Sequence, residues 1–264
     1  MKSNGLMMRH LVTRIIGTIL RKKIKMESKF LKLSQTLIFL FIPFICISQL
    51  KFLPKSKGQL VEHTYYSLSY LEEHEQAEWV HYKLNDIMLK GIVPRKSSFK
   101  SDKLIITKSA ALSDYKYSGY DRGHLVPAGD MKLSKVSMIE SFLMSNISPQ
   151  KKDFNGREWL RLEKHVRSLA KKNEIYVTTG GVLSCDLESI GHKNKVSVPK
   201  LFYKIIYDDK NKIMTGYLMP NRKLNTSFEN YKVTVDLIEI LTGIDFYHEL
   251  EDKLEEKLES AKNN

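Results

Sequence analysis

The sequence predicts an α+β protein with a central, mostly antiparallel β-sheet flanked by a few helices. Three observations carry this expectation. The strand-like stretches are mostly close enough in sequence to pair antiparallel, helical periodicity is confined to few segments, and no internal repeat or low-complexity run interrupts the chain after Val61. At 264 residues, 42% hydrophobic and 28% charged, the chain has the composition of an ordinary globular protein and the length to bury a sizeable core.

Residues 1–48 stand apart as a basic leader. They hold nine Lys/Arg against one acid, and so contribute +8 of the formal charge of +13. The remaining 34 bases and 29 acids leave +5, a bias able to attract a polyanion to a local patch but no proof of nucleic-acid binding. Thr36 to Ser48 is an apolar run of thirteen residues, preceded by Lys29 and Lys32. A comfortable membrane span needs about 20 residues, so the run suits the apolar region of a signal peptide ending near Ser48. The expectation is a secreted or envelope-held protein, with Met26 as a second candidate start; an uncleaved segment would be its only contact with a membrane. Removal of the leader would leave Cys185 as the sole cysteine, which excludes an intramolecular disulfide.

After a linker over 49–60, one domain is expected over 61–250, followed by a charged tail over 251–264. His63–Tyr70 and Trp79–Leu84 read as strands, and Lys90–Tyr120 as a long connection of the kind that often serves function. Gly156–Lys172 is the clearest helix, with Trp159, Leu162, Val166 and Leu169 at three- and four-residue spacing. Ile175–Thr179, Val196–Tyr207 and Lys212–Met219 read as strands, the last two joined by a hairpin turn through Asp208, Asp209 and Asn211. Thr234 caps a short helix through Leu241 that Gly243 closes, and Glu249–Ser260 is a charged helix or frayed tail, set away from any polyanion because of its acids.

Chemistry concentrates in Ser118 to Met131, SGYDRGHLVPAGDM, where an imidazole and a guanidinium flank a glycine that permits a tight bend. Those groups can activate water beside a phosphate, although a lone histidine there is more often structural. The segment resembles the DNA/RNA non-specific endonuclease family, and the likeness extends well beyond it. Ser145 to Gln150, Phe154 to Trp159 and Leu162-Glu163 follow at the family's spacing, with Asn146, Asn155 and Glu163 nine and eight residues apart. Glu78 to Val80, Arg95 to Phe99, Val198 to Lys204 and Thr242 to Phe246 add flanking elements, so that the resemblance covers about Val61 to Leu250.

The resemblance implies a ββα-metal active site and hydrolysis of phosphodiester bonds in DNA and RNA with little sequence preference. By its motifs His124 is the general base, and Asn155 is the direct ligand of a hydrated Mg²⁺, or of Mn²⁺ in its place. Glu163 holds a water of that metal, Asn146 bonds near metal and substrate, Arg95 contacts the scissile phosphate, and Arg122 supports the site beside the base. Arg167 is a further family arginine, and Asp121 orients its loop or the neighbouring arginine without being a ligand. Bland readings accompany these: Asn155 to Glu158 has the form of a helix capping box, and Glu163 is placed to pair with Arg167. His63, His74, His81, His165, His192 and His248 fall at no metal-ligand spacing. Lys100, Lys103, Lys108, Lys116, Lys151 and Lys152 form a basic rim. A homodimer is expected from relatives that dimerise. Two rival readings are a related DNA-restricted toxin or competence nuclease, and an inactive nucleic-acid-binding or envelope structural domain.

Overall fold

The protein's structure, a computed structural model, describes residues 50–95 and 98–262. The leader and its apolar run lie outside the described residues. Seven strands form one antiparallel sheet: β1 (Gln59–Glu62), β2 (Tyr66–Leu71), β3 (Gln76–Leu84), β6 (Ile175–Gly181), β9 (Leu201–Asp208), β10 (Ile213–Pro220) and β11 (Lys232–Val233), in that spatial order. Two small antiparallel pairs stand outside it, β4 (Asp121–His124) with β5 (Ile147–Gln150), and β7 (Ser189–Ile190) with β8 (Val196–Ser197). The helices are α1 (Asp86–Leu89), α2 (Lys135–Glu140), α3 (Leu160–Ala170), α4 (Val235–Thr242) and α5 (Asp252–Glu259). Among the described residues no helix is long and apolar enough to cross a membrane.

Strand β9 shows how sequence alternation builds two cores. Phe202 and Ile206 join a cluster with Trp159, Leu162, Val166 and Ala170, so this face of the sheet carries α3. Tyr203, Ile205 and Tyr207 project to the opposite face, where Val235 and Ile238 of α4 and Leu258 of α5 close a second cluster. Lys204 falls in step with Phe202 and Ile206, which sends a fully buried ammonium toward α3. The α+β expectation is met, with a sheet between helices.

Several boundaries differ from expectation for local reasons. The anticipated strand Val196–Tyr207 is two strands, because Pro199 has no N–H to continue a ladder. The stretch 49–60, expected as a linker, is packed against the domain from residue 50 onward. Phe52 is buried, with its ring 5.0 Å from that of Tyr176 and 5.3 Å from that of Tyr207, and its N–H donates to Glu249. Lys57 and Gly58 donate their backbone N–H groups to the buried Glu78 carboxylate. The expected tail also packs: α5 is a regular helix whose Leu258 is buried on the sheet face opposite α3. Thr234 caps α4 by accepting from the Leu237 N–H at 3.3 Å, and Gly243 closes it in the left-handed conformation at φ 63°.

Candidate active site

Asp121 to His124 form β4, and its pairing with β5 fixes which way each side chain points. Register sets His124 opposite Ile147 and Gly123 opposite Ser148. A Cβ on Gly123 would lie 2.2 Å from the side chain of Gln150, so any other residue here would displace that buried side chain where β4 meets β5. The following turn is held by Asn146, whose Oδ1 accepts from Val126 N–H at 2.8 Å, while its Nδ2 donates to Val126 O at 3.0 Å and Ser141 O at 2.8 Å. Both amide hydrogens are spent on the backbone and the residue is fully buried. It clamps the chain just after His124.

His124 sits at the base of a pocket of about 430 Å³, whose walls include Arg95, Arg122, Asn155, Glu163 and Arg167. The imidazole is packed edge-on against Phe142, centroids 4.8 Å apart at 88°, and lies 5.6 Å from the Phe99 ring. The same two rings hold the arginines: Arg95 lies 5.5 Å from the Phe142 centroid, and Arg122 lies 4.6 Å from that of Phe99. Burial, then the charges of Arg95 and Arg122, push the His124 pKa down to about 3, so the ring is neutral at ordinary pH. Its Nε2 is buried and has no hydrogen-bond partner among the described residues.

Asn155 and Glu163 reach the pocket from one continuous helix, in an unforeseen way. Residues Phe154–Trp159 form a π-helical segment leading into α3, and the Asn155 N–H bonds to Lys151 O at 2.9 Å. Asn155 is therefore inside the helix and not its cap, and Glu158 is turned away to accept from Phe228 N–H and Arg161. The wider turn accommodates Phe154 and Trp159, both fully buried against Phe202. Such single-turn π segments are frequent at functional sites. Asn155 Nδ2 donates to Asp121 Oδ2 at 3.0 Å, which leaves Oδ1 as the end of the amide available to the pocket. Asp121 thus orients Asn155, where Arg122 or the loop had been expected.

Beneath Glu163 runs a charge network legible only in part from sequence. Asp130, fully buried, accepts from Tyr82 at 2.9 Å and from Arg167 at 2.7 Å, and Arg167 also lies 4.0 Å from Glu163. Burial raises the Glu163 carboxyl pKa against the pull of Lys204, and lowers that of Lys204 against the pull of Glu163. The Lys204 Nζ has no hydrogen-bond partner among the described residues and lies 4.8 Å from the Trp159 ring centroid. Phe142, Lys204 and the full role of Asp130 were missed. Phe142 falls in no quoted motif, whereas Lys204 ends the segment Val198 to Lys204 and could have been singled out there.

The donor set fits a divalent metal that keeps most of its own waters, with one neutral amide oxygen from Asn155 as a hard ligand and the Glu163 carboxylate able to hold one of those waters. Among the described residues the trio Asp236, Glu239 and Glu259 is also compact enough to share an ion, but it belongs to α4 and α5 and not to this pocket.

Residues 47–253 match the family model for DNA/RNA non-specific endonucleases. The chain belongs to this family. Like other DNA/RNA non-specific endonucleases it is an endonuclease, and the family's chemistry is metal-dependent. A nuclease of Nostoc sp. is 33% identical over 216 residues, spanning 75% of this chain and 77% of that protein. Mitochondrial endonuclease G of Caenorhabditis elegans is 30% identical over 240 residues, spanning 79% and 78%. A chain in the crystal structure of the EndoG/EndoGI complex superposes with a TM-score of 0.68 at 33% identity, over 75% of this chain and 89% of its own length. Within this endonuclease the predicted residues His124, Arg95, Arg122, Asn155 and Glu163 converge on one pocket, and Asn146 stands behind it.

Proposed function

We propose that this endonuclease hydrolyses phosphodiester bonds in both DNA and RNA with little sequence preference, using His124 as general base and a hydrated Mg²⁺, or Mn²⁺, held directly by Asn155 and through water by Glu163. The supporting observation is the convergence of one unprotonated imidazole, two arginines and two oxygen donors on a single pocket. Hydrolysis requires a proton to leave water, a new P–O bond to form, the bond to the leaving oxygen to break, and added charge on phosphorus to be stabilised. With Nε2 sealed from solvent, Nδ1 of His124 is the ring nitrogen left to take that proton. Because the two arginines help depress its basicity, a bound phosphodiester anion, which offsets their charge, raises it when substrate is in place. Arg95 and Arg122, held over Phe142 and Phe99, face the developing charge as fixed cations. The divalent ion would supply Lewis acidity and a hydration shell from which the leaving oxygen is neutralised.

A pocket addressed to phosphate and water reads the backbone and not the bases, which favours low sequence preference, while cleavage of both DNA and RNA is what the family implies. Incubating purified protein with supercoiled plasmid and with RNA, each with Mg²⁺ or EDTA, tests this. Cleavage of both polymers, abolished by EDTA, is expected, whereas cleavage of DNA alone would establish the restricted alternative. His124→Ala should lose several orders of magnitude in rate while keeping the far-UV circular dichroism of the wild type. An equally active variant would remove the mechanism. The reading extends to export through the apolar segment ending near Ser48, where N-terminal sequencing of exported protein should begin at Gln49.

A further inference from the structure

We infer that the larger cavity beside the catalytic pocket is a stacking subsite for one unstacked nucleotide of the substrate strand, with Tyr120 as the platform for its base and Lys116 as the contact for its phosphate. The inference rests on the endonuclease reading of the His124 pocket and extends it along the strand. The cavity measures about 720 Å³ and shares Arg95, Arg122 and Asn155 with the catalytic pocket, so a strand whose phosphate lies at the arginines continues directly into it. Its size is that of a site for a whole nucleotide and not for a bare phosphate.

Its lining is specific in kind. Phe99, Tyr115 and Tyr120 supply aromatic surface, and Lys116 and Arg122 supply cations. The single acid, Asp121, is already bonded to Asn155. Aromatic faces interleaved with cations are what an unpaired strand needs, because every base has a π-face and every linkage a negative charge. Tyr120 is pinned by Lys151, whose Nζ lies 4.0 Å from its ring centroid. Lys151 does not line the cavity and Tyr120 does, so the ring offers the cavity a surface that Lys151 leaves open. Next to the lining residue Lys116, Tyr117 is 94% exposed and holds a left-handed backbone at φ 60°, with the Lys116 Nζ 4.9 Å from its ring centroid. An exposed aromatic in a strained conformation does nothing for the core, and such strain gathers at ligand sites.

The test walks a single abasic nucleotide through a single-stranded oligonucleotide with one cleavable phosphodiester, all other linkages being phosphorothioates. With wild-type protein and Mg²⁺, one position near the scissile bond should lower kcat/KM by about 5- to 150-fold, chiefly through KM, the effect expected for one base–aromatic stack. Tyr120→Ala should lower kcat/KM on the intact oligonucleotide by a similar factor through KM and should erase the dependence at that position. Lys116→Ala should weaken binding at every sequence and reduce the salt slope by about one. The abasic walk on the wild type needs no variant, so it stands even if Tyr120→Ala does not fold. A wild type that cleaves but is indifferent to every abasic position overturns the subsite and leaves the endonuclease reading intact, as does a folded Tyr120→Ala protein that keeps the full dependence. A wild type that cleaves no nucleic acid with Mg²⁺ overturns the reading on which the subsite rests.

Discussion

Phe142 touches both the proposed base and one of the phosphate cations, so replacing it with leucine separates orientation from chemistry. The ring is 1% exposed, packs edge-on against His124 at 4.8 Å, and lies 5.5 Å from the Arg95 guanidinium carbon. Leucine keeps the position apolar but removes part of the buried volume, so the fold should lose roughly 1–3 kcal/mol. The lost edge-to-face contact is worth about 0.5–1.5 kcal/mol and the lost cation–π contact about 0.5–1 kcal/mol. If both contacts serve to hold His124 and Arg95 in their reactive positions, Phe142→Leu removes about 1–2.5 kcal/mol of positioning. That lowers kcat by about 5- to 70-fold, with KM little changed. Single-turnover cleavage of a labelled duplex at saturating enzyme gives the rate, and urea denaturation gives the stability. A rate within twofold of wild type, in a variant whose stability falls as expected, would show that Phe142 fills space and orients nothing.

Two further outcomes follow from buried charges. Arg167→Met strips the cation bonded to buried Asp130 and should destabilise the protein by about 3–5 kcal/mol, while Arg167→Met with Asp130→Asn should recover a large part of that; additive costs in a urea-melt double-mutant cycle would refute the pairing. His81 is fully buried between Thr178 and Lys51 O, and burial holds its pKa at about 4 in the folded state against about 6.5 unfolded. The unfolded chain therefore takes up this proton first as pH falls. Stability owed to neutral His81 is whole above pH about 6.5 and declines by about 3 kcal/mol as pH drops through about 4. His81→Gln should flatten the urea-midpoint profile between pH 7 and 4, and an unchanged profile would acquit His81.

Features that depend on neighbours in the chain were legible in the sequence. The apolar spacing of Trp159, Leu162 and Val166 gave the helix, the Thr234 and Gly243 signals bounded α4, and β6 and β10 fell within two residues of expectation. Long-range partners were not. Nothing near Phe52 announces that it packs on Tyr176, and nothing near Asn146 announces that its amide is consumed by Val126 and Ser141. The proposed catalytic residues were recognisable because the family repeats their order, yet Phe142, Asp130 and Lys204, which pack around them, come from other elements and meet them only in three dimensions. The π turn was invisible because its cause is also tertiary, the seating of Phe154 and Trp159 on Phe202.

The hydrogen bond between Asp121 and Asn155 has a meaning beyond tethering β4 to the helix. A primary amide is almost the same shape when rotated end for end, but its two ends have opposite polarity, so packing alone cannot choose between them. A carboxylate offers only acceptors, and by taking the nitrogen of Asn155 it assigns the oxygen to the other side. Asp121 thereby acts as a polarity selector at one remove. It makes the wall of the pocket attractive to cations without adding a formal charge there, and so leaves the two arginines opposite free to receive an anion.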